Sequence, residues 1–110
     1  MDKIISTPEA EAAFEKIGNA IKGAEASRMF GMPCYKVKGK AFFGLYNNDV
    51  VFKLTGDPHK EALALKGAKL FDPSGMNRPM KQWVQVPPAH KSKFAAFATE
   101  AFNYVKKETK

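Results

Sequence analysis

Few side chains in this sequence are equipped to act as nucleophiles, bases or soft metal ligands: one cysteine, Cys34, and two histidines, His59 and His90. Thiol catalysis needs a thiolate with a base held within hydrogen-bond reach. Cys34 instead stands in the apolar run Met32-Pro33-Cys34-Tyr35, where it reads as an inert core thiol. His59 and His90 each fall in the first turn of an expected helix, exposed and near the positive end of the helix dipole, which disfavours an imidazolium. One cysteine and two histidines on separate elements give no metal-ligand spacing. Gly39, Gly44 and Gly56 are scattered through hairpins and build no phosphate-cradling loop, and the eleven carboxylates fall mostly in helix caps or on solvent faces. The expectation is a protein without catalytic residues, metal or cofactor.

Residues suited to recognition are more numerous. Lys36, Lys38 and Lys40 interleave with Tyr35, Phe42 and Phe43, a mixture that suits phosphate contact with base stacking and equally suits the blunting of a sheet edge by lysine; the edge reading is preferred. Arg28 and Arg78 are the only arginines, and Arg78 precedes Lys81 and the only tryptophan, Trp83. Arginine and aromatic residues dominate binding hot spots. Against that, Trp83 reads equally as core and each arginine as a loop tie. The candidate binding residues are Arg28, Tyr35, Phe42, Tyr46, Arg78, Lys81 and Trp83.

Charge points the same way less sharply. The chain carries a net +7, yet its 16 lysines outnumber its two arginines, and lysine is also the ordinary solubilising residue, whereas arginine carries most bidentate recognition of phosphate and guanine. The lysines are spread along the whole sequence without forming a block. Any nucleic-acid binding is therefore expected to be non-specific, with Kd in the range of roughly 10⁻⁴ to 10⁻⁶ M at physiological salt.

The elements that must position these residues form one domain over 1–110, a length that supports a single core. Ser6-Thr7-Pro8-Glu9 has the form of a capping box, and Ala10, Phe14, Ile17 and Ile21 follow at helical spacing, predicting a helix over about Pro8 to Lys22 with Gly23 as its stop. A strand around Ala26 to Phe30 is expected next. Cys34 to Val37, Lys40 to Tyr46 and Val50 to Leu54 then read as strands joined by tight turns at Lys38-Gly39 and Asn47-Asn48, residues that tolerate positive φ. Asp57-Pro58 opens a short helix to about Leu65, Ala68 to Phe71 makes a short strand, and Asp72 to Pro79 a loop of turn formers. Gln82 to Val86 alternates as a strand, and Pro87-Pro88 opens a last helix. There Phe94, Phe97, Ala98, Ala101, Phe102 and Val105 form an amphipathic stripe.

The fold class is thus α+β: a bent antiparallel meander sheet flanked by an N-terminal helix, a short middle helix and a long C-terminal helix. Strict alternation along the middle strand sends Ala41, Phe43 and Leu45 to one face and Phe42 and Tyr46 to the other. Both faces are then apolar, so the second is covered either by a helix of the same chain or by a partner, including a second copy. The N-terminus has no apolar signal region and no run is long enough to span a membrane. With a lone cysteine as well, a cytoplasmic location is expected.

Met29-Phe30-Gly31-Met32-Pro33-Cys34, Val37-Lys38-Gly39-Lys40-Ala41-Phe42, Val50 to Leu54, and Arg78-Pro79-Met80-Lys81-Gln82-Trp83-Val84-Gln85-Val86-Pro87 together resemble the N-terminal domain of TfoX, a bacterial competence regulator, over about Arg28 to Val105. The resemblance implies an α+β fold related to the YjbR-like proteins and carries over no catalytic residues. This chain has no counterpart of the C-terminal helical domain of TfoX. The implied function is a non-enzymatic binding or regulatory module acting through protein contact or self-association as a homodimer. The alternative is a nucleic-acid-associated protein using a basic, aromatic-containing sheet surface.

Overall fold

A computed structural model describes residues 7–29, 32–72 and 80–108. The element order is α1 (Pro8–Ala20), β1 (Glu25–Met29), β2 (Met32–Val37), β3 (Lys40–Tyr46), β4 (Asp49–Lys53), α2 (Gly56–Leu63), β5 (Lys69–Phe71) and β6 (Met80–Val86), followed by a 3₁₀ stretch, Pro88–Lys93, and α3 (Phe94–Glu108). All strands pair antiparallel in one six-stranded sheet of order β1-β2-β3-β4-β6-β5. The α+β class and its three helices therefore stand. The meander holds through β4, after which α2 carries the chain past one strand position so that β6 inserts between β4 and β5.

Local chemistry accounts for the boundaries. Thr7 rather than Ser6 is the N-cap of α1, its Oγ1 accepting from the Ala10 N–H at 3.1 Å, with Pro8 next to it where no N–H is needed. Ser6 lies outside the described residues. In the β2–β3 turn Lys38 and Gly39 both take positive φ, +52° and +81°, the pair of left-handed residues a type I′ hairpin requires. The last helix does not start at Pro87-Pro88: a 3₁₀ stretch comes first and departs from helical geometry at His90 (φ −105°, ψ 24°) before α3 begins at Phe94.

The main core lies between the sheet and the helices. All six stripe residues of α3 are buried, each apolar side chain of Val or Phe size contributing about 1.5 to 3 kcal/mol. They meet Phe14 of α1 and Phe42, Phe43, Leu45, Phe52, Val84 and Val86 of the strands. Gly18 of α1 lets the Tyr35 ring lie against the helix backbone; a Cβ there would sit 2.2 Å from the ring.

The middle strand corrects the alternation expected from sequence. Tyr35 pairs with Phe43 but Lys36 pairs with Ala41, so Phe42 has no partner across β2. A β-bulge of this kind opposes two residues to one and turns Phe42 to the helix side with Phe43 and Leu45. Ala41 and Tyr46 are left on the far face. That face carries a smaller cluster, Met32, Val51, Phe71 and Trp83, made of strand residues alone and buried to 6% exposure or less. Among the described residues no helix packs on it, and Leu63 of α2 is the one large hydrophobic side chain exposed, at 37%. The expectation that both faces of the sheet are apolar holds, with Met32, Val51, Phe71 and Trp83 in the place given to Phe42.

Candidate interaction surface

The three chemically able side chains are all held in structural roles. Cys34 is buried and unpaired, and burial pushes its thiol above the ordinary range against the smaller opposing pull of Lys36; a protonated, inaccessible thiol is a poor nucleophile. His59 Nε2 lies 2.8 Å from the Lys81 carbonyl and His90 Nε2 2.9 Å from the Lys66 carbonyl. A carbonyl only accepts, so each Nε2 carries a proton and each ring fastens one element to another. Among the described residues no group of His, Cys, Asp and Glu side chains could hold a metal ion.

The sequence-derived binding residues do not form one surface. Tyr35 and Phe42 are 4% and 0% exposed and belong to the main core, with the Tyr35 hydroxyl donating to Asn19 Oδ1 at 3.0 Å. Burial, and secondarily the Glu15 charge, holds the Tyr35 phenol above its ordinary range. Trp83 is 6% exposed in the strand-only cluster. Tyr46 is half-buried with its ring edge-on to Phe71. Buried rings of this kind offer no stacking platform, which removes the aromatic half of the lysine–aromatic hairpin. Arg28 is exposed on β1 and Lys81 on β6, with three strands between them, about 19 Å at roughly 4.8 Å per strand. Arg78 lies outside the described residues.

What the fold does bring together is lysine. The rings of Phe42 and Phe102 meet edge-on at 5.3 Å, which seats the end of α3 beside the β2–β3 hairpin. Lys106 Nζ sits 5.6 Å above the Phe102 ring, a cation–π contact, and Gly23, just past the end of α1, lies against the same ring. One end of the molecule therefore gathers Lys22 from just past α1, Lys38 and Lys40 from the hairpin, and Lys106 and Lys107 from α3, with Lys36 on the far face of the sheet opposite Ala41. All but the half-buried Lys36 are exposed. The acidic residues among these segments are Glu25, the cross-strand partner of Lys36, Glu108, and Glu100, which lines one recess with Lys107.

Sequence reading singled out the hairpin lysines but missed their meeting with Lys22, Lys106 and Lys107, because Lys22 and Lys107 stand 85 positions apart. The available signal was that every one stands at the end of an element or in a turn. Which ends meet is a matter of tertiary packing.

The opposite end differs. The start of α1 and the 3₁₀ stretch border a groove of about 230 Å³ beside the Asn47-Asn48 turn. Its floor, Phe14, Leu45, Val50 and Phe94, is 0–4% exposed, so the groove is shallow and its apolar base is sealed.

No family model, curated protein or solved structure matches the chain.

Proposed function

We propose that the chain is a non-enzymatic binding module that holds an anionic partner at the lysine pole. The observation that carries this reading is the convergence of five lysines from three separate segments, Lys22, Lys38, Lys40, Lys106 and Lys107, at one end of the sheet, against the three carboxylates of Glu25, Glu100 and Glu108. Coulomb attraction from clustered exposed cations speeds encounter with an anionic surface and sets its orientation. The absence of an enzyme is supported by the structural engagement of Cys34, His59 and His90. The TfoX N-terminal resemblance supports a regulatory role of the same non-catalytic kind. Self-association through the far sheet face would rest on Met32, Val51, Phe71 and Trp83 rather than on Phe42, and these are 6% exposed or less.

Amide chemical-shift mapping tests the reading, with a 12-base-pair duplex and a poly-glutamate peptide as separate anionic probes. Saturable shifts confined to the amides around Lys22, Lys38 to Lys40 and Lys106 to Lys107 are expected with at least one probe. Absence of shifts with both, or shifts centred on Asn47-Asn48, would overturn it.

A further inference from the structure

Three properties of the pole decide which anionic partner it fits. First, it lacks the anchors that give protein interfaces their affinity, namely a desolvated Trp, Tyr or Arg near the centre. Tyr35, Phe42 and Phe102 are 8% exposed or less, and Leu63 lies on a different element. Second, its cations are all lysines, point charges without the planar fork that grips carboxylates bidentately. Such charges suit the phosphate backbone, which is held chiefly by electrostatics and counterion release and needs no directional contact. Third, among the described residues the rings at the pole, Tyr35, Phe42 and Phe102, are buried, and Tyr104 beside Lys107 is half-buried with its hydroxyl bonded to Gln82. Bases therefore have little to stack on, and stacking is what favours single strands. Duplex DNA carries the denser charge, one negative charge per about 1.7 Å of axis counting both strands.

Size agrees. The molecule measures 33 × 28 × 26 Å, so one end faces about eight phosphates of a strand at roughly 3.4 Å each, enough to engage five lysines.

We infer that the lysine pole binds the phosphate backbone of duplex nucleic acid without reading sequence. This inference rests on the binding-module reading above and names its partner. Base identity does not alter the affinity, and duplex is bound at least as tightly as single strand.

Fluorescence anisotropy with a labelled 20-base-pair duplex, the matching single strand and poly-glutamate of comparable charge, each across a salt series, tests it. For the duplex, about three to five engaged lysines give a slope of log K against log salt of about −3 to −5, at roughly −0.9 per phosphate neutralised. Lys40→Ala and Lys106→Ala should each reduce that slope by about one and weaken all sequences alike. Tighter binding of the duplex than of poly-glutamate, indifferent to sequence, is the expected result. Poly-glutamate bound as tightly as the duplex or tighter would overturn the nucleic-acid assignment and leave the binding module standing. Tighter binding of the single strand, or discrimination among duplex sequences, would overturn the backbone-only mode. If neither probe binds at low salt, the module reading itself fails.

Discussion

The two ends of the sheet solve one backbone problem with opposite surfaces. Each is closed by a two-residue turn with a left-handed residue, Lys38-Gly39 at one end and Asn47, φ +55°, at the other. At the asparagine end the turn is tied down by its own side chain, the Thr7 N–H donating to Asn48 Oδ1 at 2.9 Å. Carboxylates stand nearby: Glu9 and Glu11 in the first turn of α1, and Asp49, which accepts from Gln85 Nε2 at 2.6 Å. The lysine end gathers cations instead. Both α1 and α3 run from the asparagine end to the lysine end. Acid at the start of α1 (Glu9, Glu11) and base at the finish of α3 (Lys106, Lys107), each the sign its helix dipole favours, therefore fall at opposite ends of the molecule. A rule about single helices has become an electrical asymmetry of the whole molecule.

Four substitutions or conditions sharpen the contrast, beginning with the largest effect. Phe42→Ala should cost about 3 to 5 kcal/mol, the range for emptying a buried phenylalanine site, as measured by urea denaturation. Lys40→Ala, two residues away on the surface, should stay within about 0.5 kcal/mol. Equal effects at the two positions would mean that the bulge does not turn Phe42 inward. Gly18→Ala brings a methyl group onto the Tyr35 ring and should cost about 1 to 3 kcal/mol by overpacking. The alanine spectrum should show Tyr35 displaced, because the ring is the obstacle.

Asn48→Ala removes the acceptor of the Thr7 N–H and should lower stability by about 0.5 to 1 kcal/mol while leaving anion binding unchanged. A loss of binding in that variant would place the interaction at the wrong end. The alkaline limb of the stability curve is a gentler probe. Cys34 and Tyr35 both have folded-state pKa values raised above their ordinary values of 9.0 and 10.0, so the unfolded chain releases these protons first. Their contribution is full below pH 9 and is lost as pH rises through the folded values. The denaturation midpoint should begin to fall near pH 9, and Cys34→Ala should move that onset toward pH 10. An onset unchanged in the variant would show that the thiol is not the first group to titrate.

How much of this was legible in the sequence follows from which interactions are local. The α3 stripe, the Thr7-Pro8 start of α1 and the Lys38-Gly39 turn depend on neighbours within a turn or two, and each was readable. The inward turn of Phe42 was not, because a bulge is set by register against β2 and a period-2 pattern has no place for an extra residue. Burial of Tyr35 and Trp83 was equally hidden, since both ring types occur in cores and at interfaces. The lysine pole was hidden for a further reason: Lys22, Lys40 and Lys106 look like solvated ends taken one by one. Only the packing of Phe102 against Phe42 makes them neighbours.

Two triple variants with the same net charge test the central claim most directly. One is Lys22→Glu, Lys40→Glu and Lys106→Glu at the pole, and the other is Lys66→Glu, Lys69→Glu and Lys91→Glu away from it. With a 20-base-pair duplex at low salt, the pole variant should lose about tenfold or more in affinity, the scale set by losing three phosphate contacts, while the other stays within about threefold of the parent. Equal losses in the two variants would mean that net charge alone governs binding, and would contradict the pole.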